Sequence, residues 1–195
     1  MPSINTLVAD LNSGSIVGVA QKPDSNNTTG SGTLSGTHLL KYLFTDMAAT
    51  LTASNRLSCP EATAGSATNG RYLHFQDSHG TVAKVSISHP VVASGNFSGC
   101  AYKVYKDGGD IYCVHIARPG GKGSDANVNL ADDYAKQKGW TELQHIPTVG
   151  NIGTNGCSEV WVVSQLLGNR LDSIRLNVSS AGMIVGKSAI YSANV

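Results

Sequence analysis

The feature that most constrains this chain is a turn. Asp107-Gly108-Gly109-Asp110 separates two runs, Ala101 to Lys106 and Ile111 to Arg118, that are rich in apolar, β-branched and aromatic residues. Tight hairpin turns need positive φ at their central residues, and a Gly-Gly centre meets that need without steric cost. With the turn centred on Gly108-Gly109, Tyr102 faces His115, Val104 faces Cys113 and Lys106 faces Ile111. Side chains alternate across a strand, so Cys100, Tyr102, Val104, Cys113 and His115 share one face of the hairpin. Cys100 and His115 then become diagonal neighbours, with Cα atoms roughly 7–8 Å apart.

The rest of the chain reads as strands with few helical interruptions. Residues 5 to 19 read as one or two strands, and Lys22 to Gly36 as an exposed loop rich in Ser, Thr, Asn and Gly. Leu39, Leu40, Leu43, Phe44, Met47, Ala48 and Leu51 recur at helical spacing, which predicts a packing helix over Leu39 to Leu51 capped by Thr37 or Ser35. Cys59 to Gly70 reads as loop. Arg71 to Gln76 and Thr81 to His89, joined by Asp77-Ser78-His79-Gly80, read as a first hairpin. Pro119 to Asp125 is Gly-rich loop, and Leu130 to Lys138 reads as a short helix ended by Gly139. Strands are expected at Val160 to Leu167, Ile174 to Val178 and Met183 to Tyr191. At 195 residues, with no repeat and no evident linker, the expectation is one domain over 1–195. Its class should be α+β: a sandwich of mixed or antiparallel sheets with a packing helix.

Composition removes several function classes. The formal net charge is +1 and only 14% of residues are charged, with no basic run to neutralise a row of phosphates, so no nucleic-acid partner is expected. No apolar stretch reaches the roughly 18–20 residues of a membrane helix. Met1 to Leu11 has no basic segment leading into an apolar one, so synthesis in the cytosol is expected. The same absence predicts that Cys59, Cys100, Cys113 and Cys157 remain thiols.

Thiol chemistry is what the second hairpin could support. A cysteine is mostly protonated at neutral pH, and a neighbouring imidazole can hold it as thiolate and imidazolium. Ser94-Gly95-Asn96-Phe97-Ser98-Gly99, before Cys100, is small and turn-forming. Gly99 permits close substrate approach, and backbone N–H groups there could form an oxyanion hole. A packed core cysteine beside an ordinary strand histidine fits the same spacing. So does a zinc site of Cys100, Cys113 and His115 with His89 or Cys157 as fourth ligand, although no short Cys-x-x-Cys pair is present. His74, His79 and His89 read as exposed turn or strand-end histidines, and Cys157 as a buried strand cysteine. The Gly-rich segments Pro119 to Gly123 and Gly150 to Gly156 lack the Lys-Ser/Thr of a phosphate loop.

Phe97-Ser98-Gly99-Cys100, followed by a strand, a Gly-rich turn and His115, resembles the motif of the bacterial toxin glutamine deamidases, the family of the cytotoxic necrotizing factor catalytic domain and Burkholderia lethal factor. The stretch Gly108 to Pro119 is similar to the corresponding part of the latter, and the resemblance spans about 25 residues. It implies a toxin or effector with the toxin deamidase fold. Cys100 would be the nucleophile, His115 the base, and the main-chain carbonyl of Ser94 the third catalytic element, with Gly99 and Ser98 supporting the oxyanion. It implies no cofactor and no metal. The substrate would be a glutamine of a host protein, either a Rho-type GTPase or a translation-initiation RNA helicase. The protein would be a monomer, made in the bacterial cytoplasm and delivered to the host cytosol without a cleaved signal. Other thioester enzymes (a peptidase, a transglutaminase, a peptidoglycan amidase) and a non-catalytic binding module remain alternatives.

Overall fold

The computed structural model describes residues 14–17, 40–51, 57–60, 62, 65, 67–76, 79–118, 125–150 and 152–195. The strands are β1 (Gly14–Val17), β2 (Leu40–Tyr42), β3 (Phe44–Met47), β4 (Thr50–Leu51), β5 (Leu57–Ser58), β6 (Gly70–Leu73), β7 (Gly80–Val85) and β8 (Val91–Phe97). They continue with β9 (Ala101–Asp107), β10 (Asp110–Ile116), β11 (Thr141–Ile146), β12 (Glu159–Leu167), β13 (Arg170–Val178), β14 (Met183–Lys187) and β15 (Tyr191–Asn194). Among the described residues one helix, α1 (Ala126–Gln137), joins β10 to β11. The fold is α+β, a sandwich of two mixed sheets with a helix packed outside.

The larger sheet runs β3-β6-β8-β12-β13-β14-β1-β5-β4, with β15 added on β13; the smaller runs β11-β9-β10-β7-β2. The strands at the two ends of the larger path, β3 and β4, follow one another through Ala48 and Ala49, so the path returns on itself. Asn69 closes the join, accepting from Ala49 N at 2.7 Å and donating to Ala49 O at 2.8 Å. Three apolar cores result. Met47, Leu57, Val91, Trp161, Ile174 and Leu176 fill the inside of the curl. Leu73, Val92, Phe97, Val160 and Val162 of the larger sheet meet Val85, Tyr102, Val104 and Cys113 of the smaller. On the smaller sheet's other face, Tyr105, Tyr112, Val114 and Ile116 are covered by Val128, Ala131, Tyr134 and Ala135 of α1. Each large aliphatic side chain so buried contributes about 1.5–3 kcal/mol.

The second hairpin has the expected register, with Tyr102 opposite His115, Val104 opposite Cys113 and Lys106 opposite Ile111. The short helix also forms, starting at Ala126 rather than Leu130. Gly139, at φ +71°, follows it, and its N–H donates to Lys136 O at 3.1 Å while Trp140 N donates to Ala135 O at 2.8 Å. This is the Schellman arrangement, with Trp140 as its apolar contact. Lys103 anchors α1 from the sheet, donating to Asp132 at 2.6 and 2.8 Å and to Glu142 at 2.8 Å. Glu142 lies on β11, a strand that the sequence pattern does not announce.

Four local expectations are corrected. The helix over Leu39 to Leu51 is instead β2, β3 and β4 (Leu39 itself lies outside the described residues). Leu40 packs in the core under α1, Phe44 between the sheets and Met47 inside the curl. A strand that passes between layers buries residues on both sides, and that pattern mimics helical periodicity. Arg71 to Gln76 and Thr81 to His89 do not pair with each other. β6 joins β3 and β8 in the larger sheet, whereas β7 joins β10 and β2 in the smaller. Ser94 to Phe97 is not turn but the end of β8, with only Ser98-Gly99 bending the chain. The last expected strand divides into β14 and β15. Residues 5 to 13 and Lys22 to Gly36 lie outside the described residues, as does 119–124 of the Gly-rich loop.

Candidate active site

The site grows from an irregularity in β8. Ser94 pairs with Val162 of β12 and Phe97 pairs with Val160, so Gly95 and Asn96 together oppose the single residue Trp161. This is a β-bulge, and Asn96 sits in it at φ +61°. In a regular strand Ser94 and Phe97 would point to opposite faces. The extra residue changes the parity and turns both into the layer between the sheets. Gly95 is required there, because a Cβ on it would stand 2.2 Å from Trp161 Cε2.

Both side chains meet His115 on β10. The Phe97 ring stacks on the imidazole with centroids 3.9 Å apart and planes at 17°, and the Phe75 ring lies tilted at 50° to it with centroids 5.5 Å apart. Ser94 Oγ donates to Leu73 O at 2.8 Å and contacts His115 Nδ1 at 2.9 Å. A hydroxyl has one proton, so the second bond is donated by Nδ1–H. That assignment leaves Nε2 as the bare basic nitrogen, and Nε2 is buried with no hydrogen-bond partner. His115 is 1% exposed, and burial pushes its imidazole down to about 3, so it is neutral.

Cys100 lies one residue before β9, half-buried at the edge of the same inter-sheet core. Extending the hairpin register places it diagonal to His115. The carbonyls on both sides of it are held: Thr148 Oγ1 donates to Cys100 O, and Arg118 Nη1 reaches Gly99 O at 3.5 Å. Arg118 is itself fixed by Asp125 at 2.9 Å. Gly99 C=O and Cys100 N–H belong to one planar trans peptide, so holding the carbonyl toward Arg118 aims the N–H the opposite way.

The expected residues therefore come together unevenly. Ser94 and His115 are bonded, but through the Ser94 hydroxyl rather than its carbonyl. Cys100, with Ser98 and Gly99 in the bend before it, stands on the same face. His115 makes a side-chain hydrogen bond to Ser94, and its neutral state differs from the expected imidazolium partner of a thiolate. Desolvation is the reason: a charged ring buried against Phe97 and Phe75 would lose its hydration with no charged partner to compensate. Phe75, Phe97, Thr148 and Arg118 are members of the site that sequence reasoning does not single out; Phe97 is visible in the motif, but its contact depends on the bulge.

The other thiols and imidazoles have structural surroundings. Cys113 is fully buried and pushed up to about 12 by desolvation. Cys157 is buried with its Sγ on Glu159 O at 3.3 Å. No disulfide joins any of the four cysteines. His74, expected at the surface, is 4% exposed and bonded to Thr45 at 2.8 Å, and His89 bonds Thr68 at 2.9 Å. Among the described residues, no three His, Cys, Asp or Glu side chains gather as a metal site, so the zinc alternative gains no support. No helix among these residues is long and apolar enough to cross a membrane. Compared with known proteins, the chain matches no family model, no curated protein and no solved structure at a significant level.

Proposed function

We propose that the protein is a cysteine-dependent deamidase that converts a glutamine side chain of a protein to glutamate. The observation that carries this reading is the state of His115: a neutral imidazole, oriented through Nδ1 by Ser94, with a basic Nε2 unpartnered on the strand beside Cys100. A base oriented by a third group is the arrangement that activates a nucleophile. Nε2 takes the thiol proton as Cys100 Sγ attacks the amide carbonyl carbon, so the ion pair forms during the reaction rather than before it. The oxyanion is held by backbone N–H groups of the Gly99–Cys100 turn. The imidazolium then protonates the departing nitrogen, ammonia leaves, and a thioester remains. Water, deprotonated by Nε2, cleaves the thioester to glutamate and restores the thiol.

The resemblance of Phe97-Ser98-Gly99-Cys100 and His115 to the toxin deamidases extends the proposal to an effector acting on a host Rho-type GTPase or translation-initiation helicase. The test is ammonia release and an amide-to-acid mass shift on those candidates or in a host lysate. Cys100→Ser should lower the rate by on the order of 10³-fold or more with Tm nearly unchanged, since no parallel group replaces the thiol. Full activity in Cys100→Ser would sink the reading. The burial of His115 favours a second one, a non-catalytic module in which Ser94 and His115 form a core hydrogen bond. That reading predicts no ammonia release and a destabilised His115→Gln.

A further inference from the structure

The bulge that turns Ser94 and Phe97 toward His115 turns Asn96 outward. There Asn96, Glu159 and Trp161 line a cleft of about 260 Å³, with the turn from Ser179 to Gly182 at its other side. The Glu159 carboxylate is held by two neutral donors. Trp161 Nε1 donates to Oε1 at 2.8 Å, and the Asn96 amide, with its nitrogen toward the carboxylate, donates to Oε1 and Oε2 at 3.2 and 2.5 Å. Neither donor can drift. Trp161 is 3% exposed, pressed against the Gly95 backbone and 5.6 Å from the Tyr72 ring. Asn96 is held in the left-handed conformation, at φ +61°, by the bulge opposite Trp161.

These donors orient the charge of Glu159 without neutralising it, and among the described residues no ion pair includes it. A preorganised carboxylate in an open cleft is complementary to a cation. Size narrows the ligand, because the cleft falls below the roughly 300–1,000 Å³ of pockets that enclose whole small molecules. One extended side chain fits it better than a metabolite.

We propose that this cleft docks a single lysine or arginine side chain of a peptide, its charged head on Glu159 and its aliphatic stem along the Ser179–Gly182 turn. Asn96 is four residues from Cys100, at most about 14 Å of extended chain. On the deamidase reading, the cleft would therefore select a basic residue near the target glutamine. That last step rests on the proposed function; the docking does not.

The test is an NMR titration of the two tryptophan indole N–H signals in the full chain, with N-acetyl-lysine amide and N-acetyl-arginine amide as probes. N-acetyl-norleucine amide supplies a stem without charge, and methylammonium a charge without stem. The expected result is a saturable, salt-sensitive shift of the Trp161 signal by both basic amides, at least about tenfold tighter than either control. Glu159→Gln should weaken it at least about tenfold, and Ser180→Tyr, which blocks the cleft and leaves the carboxylate intact, should abolish it. Equal binding of norleucine amide or methylammonium, unchanged affinity in either variant, or no shift would overturn the proposal. Cys100→Ser should bind like wild type. Loss of docking with deamidation retained removes the cleft alone, and docking without deamidation removes the enzyme reading alone.

Discussion

The layer between the sheets holds two groups of polar side chains that are completed differently. In one, Tyr102 Oη, Ser164 Oγ, Ser173 Oγ and Gln144 Oε1 are linked at 2.8, 2.7 and 2.5 Å, and Gln144 Nε2 donates onward to Leu171 O and Tyr191 O at 3.0 Å. In the other, Leu73 O, Ser94 and His115 form a shorter chain that stops at a bare Nε2. Exposure does not separate them, since Ser164 is 0% and His115 1% exposed. A completed network in a low dielectric holds the sheets in register. An unmade hydrogen bond at a buried acceptor costs about 1–3 kcal/mol, and a fold that retains one keeps a group ready to bind or react. The cysteines repeat the contrast: Cys113 lies fully buried beside Tyr102, while Cys100 stands half-buried at the rim.

Thiol labelling should show the largest difference. Cys113, at about 12, carries roughly three orders of magnitude less thiolate at neutral pH than an ordinary thiol near 8.5. Low-dose iodoacetamide followed by peptide mapping should therefore modify Cys100 and leave Cys113 untouched. Equal labelling would erase the contrast.

Paired serine substitutions sharpen it. Ser94→Ala removes the acceptor that fixes Nδ1–H, so deamidation should fall on the order of 10²-fold. Ser164→Ala breaks the completed chain, so it should cost about 1–3 kcal/mol in denaturant midpoint analysis and leave the rate alone. If the two variants exchanged phenotypes, the assignment of roles would be reversed.

Acid should act more gently. His115 has a folded-state value of about 3, below the ordinary 6.5, so protonation favours the unfolded chain. The stability it contributes is complete above about 6.5 and declines as pH falls toward about 3, by a few kcal/mol at most. In His115→Gln this component of acid loss should vanish. The rate profile of the wild type should likewise show no acid limb near 6.5. A limb there would mean that the imidazole titrates as if exposed.

Legibility follows the range of the forces involved. Gly108-Gly109 and the alternation on either side of it are local, so the register that sets Cys100 diagonal to His115 is legible from neighbouring residues alone. Gly139 likewise marks the end of α1. Asn127 and Asn129 are weak helix formers, and α1 starts as early as Ala126 because Val128 finds a core to fill. The segment from Leu40 to Met47 mimics a helix because its spacing records three separate cores rather than one helix face.

By itself, then, the sequence determined the hairpin, its facing pairs and the thiol and imidazole on one face, since turn conformation and side-chain alternation act over a few residues. Tertiary structure alone decided which nitrogen of His115 is basic. The partner that settles it, Ser94, lies 21 residues away and across two sheets, and reaches the ring only because the Gly95–Asn96 bulge opposite Trp161 turns it inward. Register across a sheet depends on packing summed over many strands, and no local pattern encodes that sum.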